Sequence, residues 1–453
     1  MKLAVHPEAS QNYNKRAESL VSRLRPAPEH FRKNPDPPNP NIHTSFTLTP
    51  NDIIGEMTFG WADFVGTGKA RAFAEGAELI GLFGEDYEEL RALAEGVQKS
   101  ITPRGVIGTS RLSELIFDWI KQRHRDNMTP TMIAAVLSES EKIIKDWEIW
   151  IPISRLYIQA PFVFGNVSFK AITKPMIDDW EARALAKATT PEETKSITMG
   201  FEKHRKDIQG LATAIMRVEA EHHRGYEIAF DEIDKTVGIL RFLSPANFHP
   251  AKICYSAPFG SQHVDTYRYL IVNDGKIVAH YAGLTDKSRI HWNLTNNDLA
   301  TWLPELQILS SLLAAEDLTD FQEALLEALT LYSRSSLAKH ASDKLIFILT
   351  ALESIFLKDR GEFIQDSISL RMAFMQDVSV DGRRKIIDNV KTVYALRSSF
   401  VHHGHDIDMA HTKTLTDFMM NAWLSLAALI LLAAKNITKK EFFDYLENRR
   451  LAG

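Results

Sequence analysis

The sequence predicts a mainly α-helical protein with a mixed α+β middle region and a C-terminal helical bundle. Three observations carry that reading. From Leu299 onward every long segment has apolar residues at helical spacing, and no run alternates as a strand would. Between about residues 150 and 295, β-branched and aromatic runs broken by proline and glycine are interleaved with helical stretches. The chain has 453 residues, and such a length calls for roughly two to four domains.

Composition narrows the class. With 45% hydrophobic and 25% charged residues the chain has the make-up of a soluble globular protein, which rules out wholesale disorder. A net charge of −5 excludes a uniformly basic nucleic-acid binder but leaves room for a local basic cleft. The single cysteine, Cys254, allows no intramolecular disulfide and no thiolate metal cage, and fits a reducing compartment. The opening MKLAVHPEASQNYNK holds no apolar core long enough for a secretory signal. The best membrane candidate, AWLSLAALILLAA at Ala422–Ala434, is shorter than the ~20 residues a span needs and reads as a buried core helix. The expectation is a soluble cytoplasmic protein with no membrane partner.

Residues 1–45 end in RPAPEHFRKNPDPPNPN, too rich in proline for a helix or a sheet ladder, and read as a tail or linker. Residues 46–149 read as a helical region, with helices at Tyr87–Ser100 and Thr129–Trp147; Thr129 stands at the N-cap of the second and Pro130 at its first helical position. Residues 150–297 form the α+β middle domain, a candidate sensor or regulator. Ile151–Ile172 reads as two or three short strands, Ile215–Glu221 as a half-buried strand, and Thr266–Tyr281 as a hairpin turning at Asp274-Gly275. Helices are expected near 174–187, 191–209 and 224–243 between them. Residues 298–453 form the bundle, with helices at Leu325–Leu337, Ser342–Leu357, Ser367–Gln376, Asp381–His402, His411–Ala434 and Lys439–Arg450.

Several motifs read as structural. GTGK at Gly66–Lys69 has Asp63 where a phosphate loop needs glycine and Ala70 where it needs Ser or Thr, so it is a turn. WEIW at Trp147–Trp150 reads as core at a domain junction, and His222-His223-Arg224 as the cap of a strand-to-helix turn.

The densest chemistry lies in LRSSFVHHGHDID, Leu396–Asp408. Part of it is what a helix end attracts: histidines complement the C-terminal dipole, and Gly404 suits the position after the last turn. The preceding helix argues for more. Its apolar stripe of Ile386, Val390 and Val393 continues to Arg397 and then to Phe400 and Val401, which puts a guanidinium on the face expected to be buried. An unpaired buried charge costs several kcal/mol, so Arg397 either meets a carboxylate inside or faces a cleft for something negative. Glu353 is the candidate partner, because Ile346, Leu349, Phe356 and Leu357 surround it at helical spacing.

ALESIFL at Ala351–Leu357, SISLRMAFM at Ser367–Met375 and YALRSSFVHHG at Tyr394–Gly404 together resemble the Apea-like branch of the HEPN superfamily, over about residues 320–450. In that family an arginine and a histidine separated by four to six residues sit near the end of a bundle helix. The pattern Arg-x4-His occurs three times here, as Arg25/His30, Arg217/His222 and Arg397/His402. The first lies in the proline-rich tail and the second begins in an alternating strand. Only the third ends a long amphipathic helix. Two positions depart from the family pattern: Ser398 follows the arginine where Asn or Asp is frequent, and the histidine is doubled. His402 fits a four-residue gap and His403 a five-residue gap; His402 is favoured, with both kept as catalytic candidates. Glu353, Ser398 and Arg371 are the supporting candidates.

What the resemblance implies is a metal-independent endoribonuclease with no cofactor, RNA as partner and a homodimer that joins two arginine–histidine ends in one cleft. A toxin-like or anti-phage role with a phage-derived trigger follows from the same family. Arg383, Arg384, Lys385 and Lys391, on the helix leading to Arg397, are read either as a solvated face or as an RNA-backbone track. Two other classes stay open. One is a non-catalytic RNA- or nucleotide-binding and dimerisation module. The other is a metal-dependent phosphohydrolase built on His402, His403, His405, Asp406 and Asp408.

Overall fold

The computed structural model describes residues 2–27, 54–56, 69–75, 78–126, 130–261, 266–273, 276–284, 292–359, 361–403 and 407–451. It is mostly helical (65%), with small antiparallel sheets in the middle region and a C-terminal run of helices, as periodicity predicts. Two compact units emerge. The first comprises residues 1–148 and 217–228, the second residues 149–216 and 229–453.

In the first unit the tail reading fails for its opening segment. Residues Pro7–Val21 form helix α1, with Pro7 in the first turn and Glu8 favourably placed near the helix N-terminus. Ala17 and Leu20 are buried, the Tyr13 hydroxyl donates to the Gly96 carbonyl at 2.8 Å, and Arg16 pairs with Glu89 at 2.8 Å. The prolines from Pro26 onward break a helix only where they stand. The proline-dense run from residue 28 lies outside the described residues, His30 included.

The expected all-helical stretch that follows instead holds an antiparallel sheet. Its strands are β1 (Arg25–Pro26), β2 (Ile54–Glu56), β3 (Lys69–Glu75) and β4 (Glu78–Phe83), in the order β1-β4-β3-β2. Ala72 faces Gly81 in the register of β3 on β4. A Cβ at position 81 would lie 2.2 Å from the Arg71 carbonyl oxygen, so the close approach of the strands requires glycine there. Lys69 of GTGK opens β3; Gly66–Gly68 lie outside the described residues. Helices α2 (Glu85–Ser100), α3 (Thr109–Arg125) and α4 (Met132–Ile143) complete the core, in which Leu20, Leu90, Leu93, Ile116, Trp119, Ile120 and Val136 are buried together. Helix α4 starts later than its sequence reading. Its N-cap is Thr131, Pro130 precedes the helix and accepts the Trp119 indole N–H through its carbonyl at 2.7 Å, and Thr129 lies outside the described residues.

Strand β5 (Lys145–Pro152) takes in the whole WEIW motif, so the expected helix to Trp147 ends at Ile143. β6 (Leu156–Ile158), β7 (Phe162–Phe164) and β8 (Val167–Ala171) follow. Next come α5 (Lys174–Leu185), α6 (Pro191–Ile208), β9 (Ala212–Ala220) and α7 (His222–Leu240). The sheet order is β5-β9-β8-β7, with Ser168 opposite Ile215 between β8 and β9. Helix α6 begins with a capping box between Thr190 and Glu193, and Arg205 joins it to α5 through Asp178 at 2.7 Å and through Glu181. The strand-to-helix turn before α7 is capped by Glu221, whose carboxylate accepts from His223 N–H at 2.8 Å and Arg224 N–H at 3.1 Å. His222-His223-Arg224 are therefore the first helical residues, and the cap is the residue before them.

β10 (Thr266–Asn273) and β11 (Lys276–Leu284) form the expected antiparallel hairpin, while Asp274-Gly275 lie outside the described residues. β12 (Trp292–Leu294) pairs in parallel with β6. Helices α8 (Asn296–Thr301) and α9 (Leu303–Ala314) precede the bundle. The bundle itself comprises α10 (Asp320–Ser335), α11 (Ala341–Phe356), α12 (Ile364–Gln376), α13 (Val380–His403), α14 (Thr412–Ala433) and α15 (Lys439–Leu451). Helix α14 is long and apolar enough to cross a membrane by length and composition. Here Phe418, Met419, Trp423, Leu426, Leu429 and Ile430 are buried within the unit, the pattern of a core helix.

One buried group sets a pH dependence. Lys344, near the start of α11, is 1% exposed, and its ammonium donates to the Lys252 carbonyl. Burial pulls the ammonium down to about 8, with the Cys254 side chain opposing weakly. In the unfolded chain a lysine titrates near 10.4. Between those values the unfolded state binds the extra proton, so stability rises with pH through that window and the gain is lost as pH falls through about 8. The Lys344→Met variant lacks this slope. Denaturant titrations of both proteins at pH 7.5 and pH 10 should differ by on the order of 2 kcal/mol in the wild type's favour at the higher pH, relative to the lower. Parallel curves for the two proteins would show that Lys344 is not buried as a charge.

Candidate functional site

Helix α13 is anchored from its first turn. The Asp377 carboxylate accepts from Ser379 N–H at 2.8 Å, and this backbone hydrogen bond holds the carboxyl below its ordinary range. The Arg383 guanidinium donates through Nε to the Asp377 carbonyl at 2.8 Å and lies over the Phe374 ring, 4.4 Å from its centre. Ile386, Val390 and Val393 are buried, which is the stripe expected from sequence. Asn389 ties the helix to α14 through the Thr414 carbonyl at 2.9 Å. These contacts leave the last three turns, Tyr394–His403, to present the chemistry.

Along those turns Arg397 is half-buried and Ser398 is exposed. The Arg397 Nε is fully buried and has no hydrogen-bond acceptor among the described residues. The ion pair between Arg397 and Glu353, one of the two arrangements the sequence leaves open, does not form. Glu353 projects from α11 and accepts a hydrogen bond from the Tyr394 hydroxyl at 3.1 Å. Burial, and then the Glu353 carboxylate itself, raise the pKa of the Tyr394 phenol, while Arg397 opposes the shift. Tyr394 opens YALRSSFVHHG, and sequence reasoning missed its role. Its signal was its place three residues before Arg397, a polar group continuing a buried stripe.

His402 and His403 are exposed, with ring centres 6.5 Å apart. The helix continues through His403. At 100° per residue, Arg397 and His402 are about 140° apart around it, and Arg397 and His403 about 120° apart in the other sense. Within one chain neither histidine shares a face with the arginine. Gly404, His405 and Asp406 lie outside the described residues. Asp408 is engaged in the turn before α14, where its carboxylate accepts from Ala410 N–H at 2.9 Å. Among the described residues no group of three or more His, Cys, Asp or Glu side chains is arranged to hold a metal ion.

The remaining candidates divide by what they touch. Arg371 is committed elsewhere. It forms a two-pronged pair with Glu362 at 2.5 and 2.9 Å, donates to the Phe356 carbonyl at the end of α11, and covers the Phe443 ring at 4.9 Å. Its work is to join α11, α12 and α15, and the Glu362 carboxyl is held below its usual range mainly by this hydrogen bonding. Of the proposed track, Arg383 is spent on the helix start, Lys391 pairs with Asp366 at 2.6 Å, and Arg384 makes a long exposed contact of 3.8 Å with Asp381. Lys385 is exposed and has no ion pair among the described residues. The four cations do not form one continuous unpaired stripe.

A scan against models of known protein families found no match. Searches of curated proteins and of solved structures likewise found none.

Proposed function

We propose that the C-terminal bundle is a metal-independent endoribonuclease of the Apea-like HEPN type, acting on RNA through Arg397 and His402 from two copies of the chain. The observation that carries this reading is the Arg397 guanidinium: half-buried on the apolar stripe of α13, without an ion pair among the described residues, and with Nε unpartnered. A guanidinium in that condition is prepared for an oxyanion, and the phosphodiester is the oxyanion that the neighbouring imidazoles can act upon.

The chemistry is self-contained. A neutral imidazole takes the proton from a ribose 2′-hydroxyl, the oxygen attacks the adjacent phosphorus, and Arg397 stabilises the charge gathering on the phosphoryl oxygens. The bond to the 5′-oxygen breaks, and that oxygen takes a proton from the second imidazole or from water. The products are a 2′,3′-cyclic phosphate and a 5′-hydroxyl end. DNA lacks the nucleophile. Since Arg397 and His402 diverge on one helix, each arginine works with a histidine of the partner subunit. In the same reading the protein is a cytoplasmic, toxin-like or anti-phage nuclease, the region upstream of the bundle responds to a phage-derived trigger, and Arg384 and Lys385 are the cations left to meet the RNA backbone.

Purified protein incubated with single-stranded RNA and DNA tests this directly. RNA is expected to be cut to cyclic-phosphate ends at the same rate with and without EDTA, and DNA to stay intact. Cleavage of DNA, or loss of RNA cleavage in EDTA, would overturn the proposal. The divergence of arginine and histidine, together with Ser398, favours one second reading, a non-catalytic RNA-binding and dimerisation module. Under it RNA is bound and never cut, and the Arg397→Ala variant loses binding alone.

A further inference from the structure

The bundle contains two half-buried arginine–glutamate neighbourhoods that are resolved in opposite ways. Arg371 and Glu362 close into a two-pronged ion pair at 2.5 and 2.9 Å, the usual outcome when a guanidinium and a carboxylate meet away from bulk water. Arg397 and Glu353 do not close. The Glu353 carboxylate is taken by the Tyr394 hydroxyl at 3.1 Å, and Arg397, one turn further along the same helix, keeps its Nε unpartnered among the described residues. Glu353 and Arg397 both lie close enough to the Tyr394 phenol to perturb it, in opposite directions.

Resting on the endoribonuclease reading above, we infer that Tyr394 is a positioning residue: its hydroxyl holds Glu353 away from Arg397, so the guanidinium keeps its donors for a phosphate of the RNA backbone. A carboxylate has about four acceptor sites and a guanidinium five donors. Without a competitor they would neutralise each other inside the bundle, and RNA would have to break that pair in order to bind. The phenol prevents this at low cost. It is neutral, its donor direction is set by its place on α13, and, as for any phenol at neutral pH, its proton stays on, burial only raising its pKa further. Tyr394 touches no reacting atom; it acts through Glu353 on the state of Arg397.

The test is a rescue experiment on the full chain. The probe is a fluorescent single-stranded RNA with 2′-O-methyl riboses, which binds but offers no nucleophile. Tyr394→Phe removes one hydroxyl, frees Glu353 to turn onto Arg397, and is expected to weaken binding roughly tenfold, the size of one charge-assisted hydrogen bond. On cleavable RNA the same variant should raise KM more than it lowers kcat. Tyr394→Phe combined with Glu353→Gln has no carboxylate to turn, and affinity should return to within about twofold of wild type. Loss of binding in Tyr394→Phe without recovery in the double variant would make Tyr394 a packing residue and end the inference. Wild-type binding by Tyr394→Phe, alongside weakened binding by Arg397→Ala, would also end it while leaving the endoribonuclease reading in place. Undiminished binding by Arg397→Ala would remove that reading and the inference together.

Discussion

Arg397→Ala and His402→Ala should each lower RNA cleavage by at least about 100-fold, because each removes a group that acts on the developing charge or on the transferred proton. The more telling measurement is the mixture of the two inactive proteins. On α13, which is helical through His403, the two side chains are about 140° apart. In the proposed shared site the two are drawn from two copies of the chain. In a random mixture of the variants half of the dimers are mixed, and each mixed dimer rebuilds one intact site of its two. Activity should therefore recover to about a quarter of wild type. Mixing that restores nothing, with both proteins folded and able to exchange subunits, would exclude the shared site. His403→Ala in the same assay separates the two imidazoles. If His402 is the base, the His403 variant keeps the larger share of activity.

The second large effect is on stability. Trp423 in α14 is 3% exposed. Its ring is stacked on Phe242 at 5.1 Å with planes 9° apart, and it meets Phe248 at 5.2 Å and Trp302 at 4.8 Å edge-on. Its indole N–H donates to the Phe242 carbonyl at 2.9 Å. Trp423→Ala empties the centre of this cluster and should cost about 3–5 kcal/mol in denaturant unfolding. Trp423→Phe keeps a stacked ring and loses the donor. The Phe242 carbonyl still accepts from the Asn247 side chain at 2.9 Å, so that variant should cost only about 1 kcal/mol beyond the lost ring volume. If Trp423→Ala unfolds at the wild-type denaturant concentration, the aromatic cluster is not part of the core.

Much of the fold was legible because long amphipathic helices announce themselves. In α10–α15 the buried residues recur at helical spacing over many turns, so local pattern and tertiary burial agree. The first 150 residues were harder. KARAFAE and ELIGLF make strands β3 and β4, yet alanine, leucine and glutamate are better helix formers than strand formers. Those segments become strands because they pair with each other, and pairing is not a local property. Helix α1 was hidden by its neighbours, since the prolines that follow it lent their character to the whole segment.

At the candidate site the sequence was informative about positions and silent about partners. A guanidinium on the stripe of Ile386, Val390 and Val393 is visible by counting, and Arg397 is indeed half-buried there. Counting cannot say that Glu353 meets Tyr394 instead, or that Arg371 is occupied by Glu362 and the end of α11. Nor can it show that Lys391 is paired with Asp366 on the preceding helix. Each of these contacts joins residues on different elements or across a loop, and which of several nearby charges meet depends on how the helices are packed.

From the order of amino acids alone follow the helical class, the α+β middle region and the placing of one arginine and two histidines at the end of a 24-residue helix. These depend on periodicity, and periodicity is a property of the chain itself. Packing decided the rest: the sheet inside the supposed helical region, the burial of Lys344, and the hydrogen bond of the Tyr394 hydroxyl to Glu353. Those depend on distances of about 3 Å between groups far apart in sequence, and only the assembled fold brings such groups within reach of each other.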